Sequence, residues 1–327
     1  MNIIIKTPSF IGDTVMMMPA LELLFTEYPN AKFTVVCKPS SKDLFRNKNI
    51  NKIIIDDIKS DKKGRLKRTF NLISEIKKEK YDLGVLFHNT FLDALVFKLS
   101  FIDKIIGYEK EKRKILLDFY LKIDRTRHYV NHYAHLVNQY LGNKYKDLPK
   151  MKLHYENSNL LINQNNKPYV GFALGGDNKD TRRYPKELSL KLFEILKDEN
   201  INIVLIGDKD DSINNNIYEE YLKSQNNNVI NLSGKTNISE FIDLISSIDL
   251  LVTIDTSAVH ISAAVDTDFL LLVGKGSSAL DTTYPKVDFG SMIFRGQNKI
   301  NDEDLIYEIK ADDIKQNILK MLNENRL

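Results

Sequence analysis

Short apolar, β-branched runs recur along this chain, separated by longer stretches with helical spacing, and that alternation constrains the fold more than any other feature of the sequence. Ten such runs are strand candidates. In the first half they are Asn2–Lys6, Phe33–Cys37, Lys52–Ile55, Leu83–Phe87 and Lys104–Ile106; in the second, Tyr169–Leu174, Asn202–Ile206, Val229–Leu232, Leu250–Ile254 and Phe269–Val273. Runs that are apolar on both faces read as strands covered on both sides, and the intervening helices supply the crossovers of a parallel sheet. The fold class is therefore α/β, with two Rossmann-like units.

Between the two sets lies an Asn-dominated stretch, 156–167, closed by Pro168. Turn and linker chemistry concentrates there, which divides the chain into an N-terminal domain over 1–160 and a C-terminal domain over 168–300. A last amphipathic pattern, 302–325, has no strand after it and is expected to pack back towards the N-terminal domain. The net charge of +3 hides an asymmetry: residues 1–160 carry 29 Lys and Arg against 18 Asp and Glu, whereas residues 161–327 carry 18 against 26. Opposite fields on the two halves imply different ligands, one of them anionic.

No apolar run approaches the roughly 18 residues that span a bilayer, and the opening Ile3-Ile4-Ile5 lacks the basic flank of a secretory signal, so a cytoplasmic protein is expected. Cys37 is the single cysteine. It can form no internal disulfide and reads as core filling. No GxGxxG, P-loop, HExxH or GxSxG pattern occurs, which removes support for the common dehydrogenases, P-loop NTPases, zincins and serine hydrolases.

Four strand ends carry polar residues suited to chemistry. The first strand runs into Ser9-Phe10-Ile11-Gly12-Asp13, placing the Asp13 carboxylate at the sheet's carboxyl edge, either as a helix N-cap or as a general base. The run ending at Ile254 continues as Asp255-Thr256-Ser257-Ala258-Val259-His260, where hydroxyls and free N–H groups at a helix start suit an anion. After Leu174 come Gly175-Gly176 and then Arg182-Arg183-Tyr184-Pro185; the glycines permit close backbone approach and an arginine offers a fixed cation to a diphosphate. The fourth, Gly207 to Asp211, holds a carboxylate, Asp211, for ribose hydroxyls.

In this order these elements resemble the ADP-heptose:lipopolysaccharide heptosyltransferases of glycosyltransferase family 9. The resemblance rests on Ser9-Phe10-Ile11-Gly12-Asp13, Pro19-Ala20-Leu21, Arg182-Arg183-Tyr184-Pro185, Leu232-Ser233-Gly234-Lys235-Thr236 and Asp255-Thr256-Ser257-Ala258-Val259-His260. It implies a GT-B fold with two parallel-sheet domains facing across a central cleft, acceptor on the N-terminal one and nucleotide sugar on the C-terminal one. Asp13 matches the family's base, Arg182 its diphosphate-binding cation, and Asp255, Thr256 and His260 its phosphate-site residues. Ser257 stands where the family has Gly, and Gly274-Lys275-Gly276 stands where Gly-Pro-Thr usually follows.

The implied reaction is inverting and needs neither metal nor resident cofactor; Asp266-Thr267-Asp268 has metal-motif spacing but precedes its strand. Donor contacts would come from Arg182, Asp255, Thr256, Ser257, His260, Gly175, Gly176 and Asp211. Acceptor contacts would come from Ser9, Gly12, Lys62, Lys63, Arg65 and Arg113. The expected partners are a nucleotide sugar and an anionic lipid-linked oligosaccharide at the inner membrane face, without nucleic acid. The rival readings are a nucleotide-sugar epimerase of the same fold and a non-catalytic nucleotide- or sugar-binding protein.

Overall fold

The computed structural model describes residues 1–61, 63–158, 160–161, 166–175, 182–225, 227–274, 280–295 and 306–324. It divides into two units, Met1–His154 with Asp281–Thr283, and Tyr155–Leu280 with Tyr284–Leu327. The first unit runs β1 (Asn2–Lys6), α1 (Ile11–Met16), α2 (Met18–Glu27), β2 (Lys32–Cys37), β3 (Ile50–Ile55), α3 (Arg65–Ile76), β4 (Leu83–Leu86), α4 (Phe91–Leu99), β5 (Lys104–Glu109), β6 (Phe119–Lys122) and α5 (Tyr129–Tyr140). The later elements are β7 (Tyr169–Ala173), α6 (Lys186–Leu196), β8 (Asn202–Leu205), α7 (Ser212–Ser224), β9 (Val229–Asn231), α8 (Ile238–Ser246), β10 (Leu250–Ile254), α9 (Ser257–Ala264), β11 (Phe269–Val273), α10 (Leu280–Thr283), β12 (Gly290–Phe294) and α11 (Ala311–Glu324).

Each unit carries one six-stranded sheet, in the orders β3-β2-β1-β4-β5-β6 and β12-β11-β10-β7-β8-β9. Every pairing is parallel, for example Ile3 with Leu83 and Leu251 with Gly171. All strand ends of a sheet therefore open at one edge. In both sheets the chain order reverses beside the first strand, between β1 and β4 and between β7 and β10, and a crevice outside the carboxyl ends at such a switch point is where open α/β sheets hold ligands. The central strands are buried along their length, as their β-branched runs predict.

The two strands beyond those ten runs are β6 and β12, both at sheet edges; each holds a short apolar stretch, Phe119-Tyr120-Leu121 and Met292-Ile293-Phe294, part of which is exposed. The helical stretch after the Asp13 turn is two helices, α1 and α2, divided at Met17. Pro19, in the first turn of α2, has no N–H to give to a preceding carbonyl, so the ladder restarts there. In the 302–325 pattern, the described helix begins at Ala311 and packs on α6 through Ile314, Ile318 and Leu322 within the second unit's core. Lys315 ties it down, donating to the Ile195 carbonyl at 2.9 Å and pairing with Glu199 at 2.6 Å.

Candidate active site at two strand switch points

At the first switch point the loop after β1 meets the loop after β4. Asp13 is not the N-cap of α1; Phe10 holds that position without a side-chain cap, and Thr14 donates its hydroxyl to the Phe10 carbonyl at 2.8 Å. Asp13 sits in the first helical turn, half-buried, and its pKa is raised to about 6 because burial disfavours the charged carboxylate, with His88 pulling weakly the other way. A carboxylate poised near neutrality is matched to taking a proton from a hydroxyl. Burial pushes the nearby Tyr133 phenol up, and the Asp13 charge adds to that.

The loop after β4 contributes a hydrogen-bonded string that the sequence reading passed over. Ser9 Oγ lies 3.0 Å from His88 Nε2, and His88 Nδ1 lies 2.6 Å from Asp93 Oδ2. Thr90 caps α4, accepting from the Asp93 N–H, and its hydroxyl donates to the Asp93 carboxylate. Burial would raise the Asp93 pKa, but the bond from His88 and the positive field of Lys6 outweigh it and hold the carboxyl below its usual range. The signal was present: Thr90-x-x-Asp93 is a capping pattern directly after a buried strand that ends at the switch point. Ser9, His88, Thr90 and Asp93 line one hollow with Lys38, Asp56, Ile58, Lys59 and Leu92. Lys6, buried at the end of β1, pairs with Asp56 at 2.5 Å.

Arg113 is placed differently from expectation. Its side chain is fully buried, at 0% exposure, and cannot reach an acceptor in solvent. Its guanidinium donates to the carbonyls of Tyr108 at 2.7 Å and His88 at 2.7 Å and to Asn89 Oδ1 at 2.6 Å, so it clamps the His88–Thr90 loop from beneath. Burial draws its pKa down to about 10. Ser9 and Gly12 stand at the Asp13 turn, half-buried, whereas Lys63 and Arg65 are exposed at the start of α3, and Lys62 lies outside the described residues.

At the second switch point β10 delivers Asp255 and β7 leads into the loop that returns at Arg182. Arg182 Nη1 lies 3.6 Å from Asp255 Oδ2, both side chains largely buried. Tyr184 anchors the returning loop: its N–H donates to the Leu174 carbonyl at 3.1 Å and its buried hydroxyl to the Ile309 carbonyl at 2.8 Å. Thr256 is the N-cap of α9 and accepts from the Ala258 N–H at 3.3 Å. Ser257 is the first helical residue, half-buried, and His260 is buried one turn on. The first-turn N–H groups of an eight-residue helix, a capping hydroxyl and an adjacent arginine suit an anion.

Asp211 also departs from expectation. It is buried, and its carboxylate accepts from the Asp208 N–H at 3.1 Å, closing the β8–α7 turn instead of waiting for a ribose. Gly207 and Gly175 make room for it: a Cβ at Gly207 would stand 2.5 Å from the Asp211 Cβ, and one at Gly175 would fall on Asp211 Oδ1. Close approach is what Gly175 permits, but the approaching group is Asp211. Gly176, Lys275 and Gly276 lie outside the described residues. Among the described residues, no group of three or more His, Cys, Asp or Glu gathers as a metal site, and no helix is long and apolar enough to cross a membrane.

The chain is 27% identical over 307 residues to lipooligosaccharide heptosyltransferase 2 of Haemophilus influenzae, covering 85% of this chain and 84% of that one. It is 29% identical over 265 residues to the protein of the same name from Campylobacter jejuni serotype O:6, covering 80% and 78%. Its fold superposes on the ADP-heptose lipopolysaccharide heptosyltransferase II of Escherichia coli with a TM-score of 0.84 over the whole of both chains, at 23% identity. The family model of glycosyltransferase family 9 (heptosyltransferase) matches residues 69–283, a span that includes the His88 loop, Arg182, and the Asp255–His260 turn. The chain therefore belongs to glycosyltransferase family 9, the heptosyltransferases.

Proposed function

We propose that this protein transfers heptose from ADP-heptose to a lipooligosaccharide-core acceptor, with inversion and without a metal, Asp13 being the general base. The observation that carries this reading is the Asp13 carboxyl: it stands at a strand switch point and is half-buried, with its pKa raised to about 6. In the proposed step Asp13 takes the proton of an acceptor hydroxyl as that oxygen attacks the anomeric carbon, and the bond to the diphosphate breaks. Arg182, the Thr256–Ser257 helix start and His260 stabilise the charge growing on the departing diphosphate. The names of the relatives support both the donor sugar and the acceptor class.

The acceptor belongs on the first unit, near Ser9 and the hollow edged by Lys38 and Lys59. A lipid-linked acceptor also requires work at a bilayer. Leu66 and Phe70, 77% and 66% exposed one turn apart on α3 beside Lys63, Arg65 and Lys67, support peripheral contact with an anionic leaflet. The test is direct: thermal-shift measurements with ADP-, UDP- and GDP-sugars, then incubation of the preferred donor with a heptose-deficient lipooligosaccharide core. The reading expects an ADP-specific shift and a product heavier by one heptose. Turnover of a nucleotide sugar without any acceptor would favour the epimerase instead.

A further inference from the structure

Below the Asp13 turn, the string Ser9–His88–Asp93–Thr90 is more elaborate than a helix cap requires. A capping threonine needs only the Asp93 N–H, yet here the Thr90 hydroxyl donates back to the Asp93 carboxylate, and the same carboxylate oxygen takes His88 Nδ1 at 2.6 Å. An ionised Asp93 requires the hydrogen on Nδ1, which leaves the Nε2 lone pair for the Ser9 hydroxyl at 3.0 Å. Arg113 locks the carbonyls on which this loop hangs. The imidazole is therefore held at both ring nitrogens, by the buried Asp93 and the half-buried Ser9.

We propose that His88 is a positioning residue for sugar transfer: anchored through Nδ1 by Asp93, it orients the Ser9 hydroxyl through Nε2 towards an acceptor hydroxyl at the Asp13 turn. The proposal rests on the transferase reading of Asp13. With Nε2 accepting from it, the Ser9 hydroxyl is held in one orientation and its oxygen lone pairs are left for another donor. The charged groups facing His88 are Asp93 on α4, Asp13 on α1, Lys6 at the end of β1, and the Lys38, Asp56 and Lys59 side chains across the hollow. Of these, Lys6 is already paired with Asp56.

The test uses His88→Asn, whose amide can still meet Asp93 but not Ser9, and His88→Gln, which can reach Ser9 but not Asp93; neither carries a charge. Two readouts are taken on wild type and both variants: kcat with the donor and acceptor KM values for transfer from ADP-heptose, and the melting temperature, which confirms that each variant is folded. The acceptor KM should rise at least roughly three-fold in His88→Asn, with the donor KM unchanged. The acceptor KM should rise more in His88→Asn than in His88→Gln. An acceptor KM that is unchanged in His88→Asn, or raised equally in both variants, overturns the proposal, because a purely structural histidine would not distinguish an amide that reaches Ser9 from one that does not. Wild-type protein that transfers nothing would sink the transferase reading itself, whereas a folded His88→Asn that transfers with the wild-type acceptor KM would sink only the positioning role of His88.

Discussion

Replacing Arg113 by methionine separates the role the structure gives it from the acceptor contact expected from its charge. The substitution keeps the apolar stem and deletes the guanidinium, leaving the Tyr108 and His88 carbonyls and Asn89 Oδ1 without their donor. At about 1 kcal/mol for each short bond, the loss is roughly 3 kcal/mol before relaxation. Methionine escapes the desolvation that draws the arginine pKa down to about 10, which returns part of that and leaves about 2–3 kcal/mol. For a unit of this size, each kcal/mol shifts the melting temperature by roughly 2–4 °C, so a fall of about 5–10 °C is expected. Scanning calorimetry on the intact chain reads it, and Arg113→Lys, able to keep one or two of the bonds, should lose about half as much. A melt unchanged by Arg113→Met, with the acceptor KM raised, would refute the clamp and restore the surface role.

Transfer should fall as pH drops through about 6, where Asp13 becomes protonated, and a rate flat across that range in the wild type would remove the base assignment. The stability linkage has the opposite sense. Because the folded pKa lies above the ordinary 3.8, the native state binds the extra proton, so stability falls as pH rises from about 4 to 6. Asp13→Asn should therefore melt higher than wild type at pH 7, by the equivalent of about 1–2 kcal/mol after allowance for partial exposure, with the gain fading towards pH 4. Gly175→Ala should destabilise the protein by about 1–3 kcal/mol through collision with Asp211, and much of the loss should return in Gly175→Ala/Asp211→Ala, measured by urea titration. Arg182→Ala should weaken ADP binding about ten- to a hundredfold by calorimetry, while unchanged affinity would place the diphosphate elsewhere.

The sheets were legible because strands covered on both faces must be apolar throughout; all ten candidate runs are strands, and the two overlooked, β6 and β12, are partly exposed edges whose apolar stretches, Phe119-Tyr120-Leu121 and Met292-Ile293-Phe294, are short. Residues tied to backbone geometry were legible as well, since a carboxylate or hydroxyl following a strand must emerge at the sheet's edge, as Asp13, Asp255 and Thr256 do. What charge alone suggests was not. Arg113 belongs to a basic run whose neighbours are exposed, yet its side chain turns inward to satisfy carbonyls about 25 residues away in the chain, a partnership no local spacing encodes. Asp211 was misread for the same reason: its neighbours are Gly175 and Gly207, and only the fold brings one of them from the adjacent strand end. His88 escaped notice because its partners, Ser9 and Asp93, lie on opposite sides of it in the sequence and come together only where β1 and β4 pair.

Asp13→Asn offers the most direct trial of the account, because the change removes one ionisable oxygen and keeps the shape of the site. With ADP-heptose and a heptose-deficient lipooligosaccharide core, the variant should bind donor with wild-type affinity and form no product at any pH. Product formed at the wild-type rate by the folded variant would contradict the assignment of Asp13 as the base.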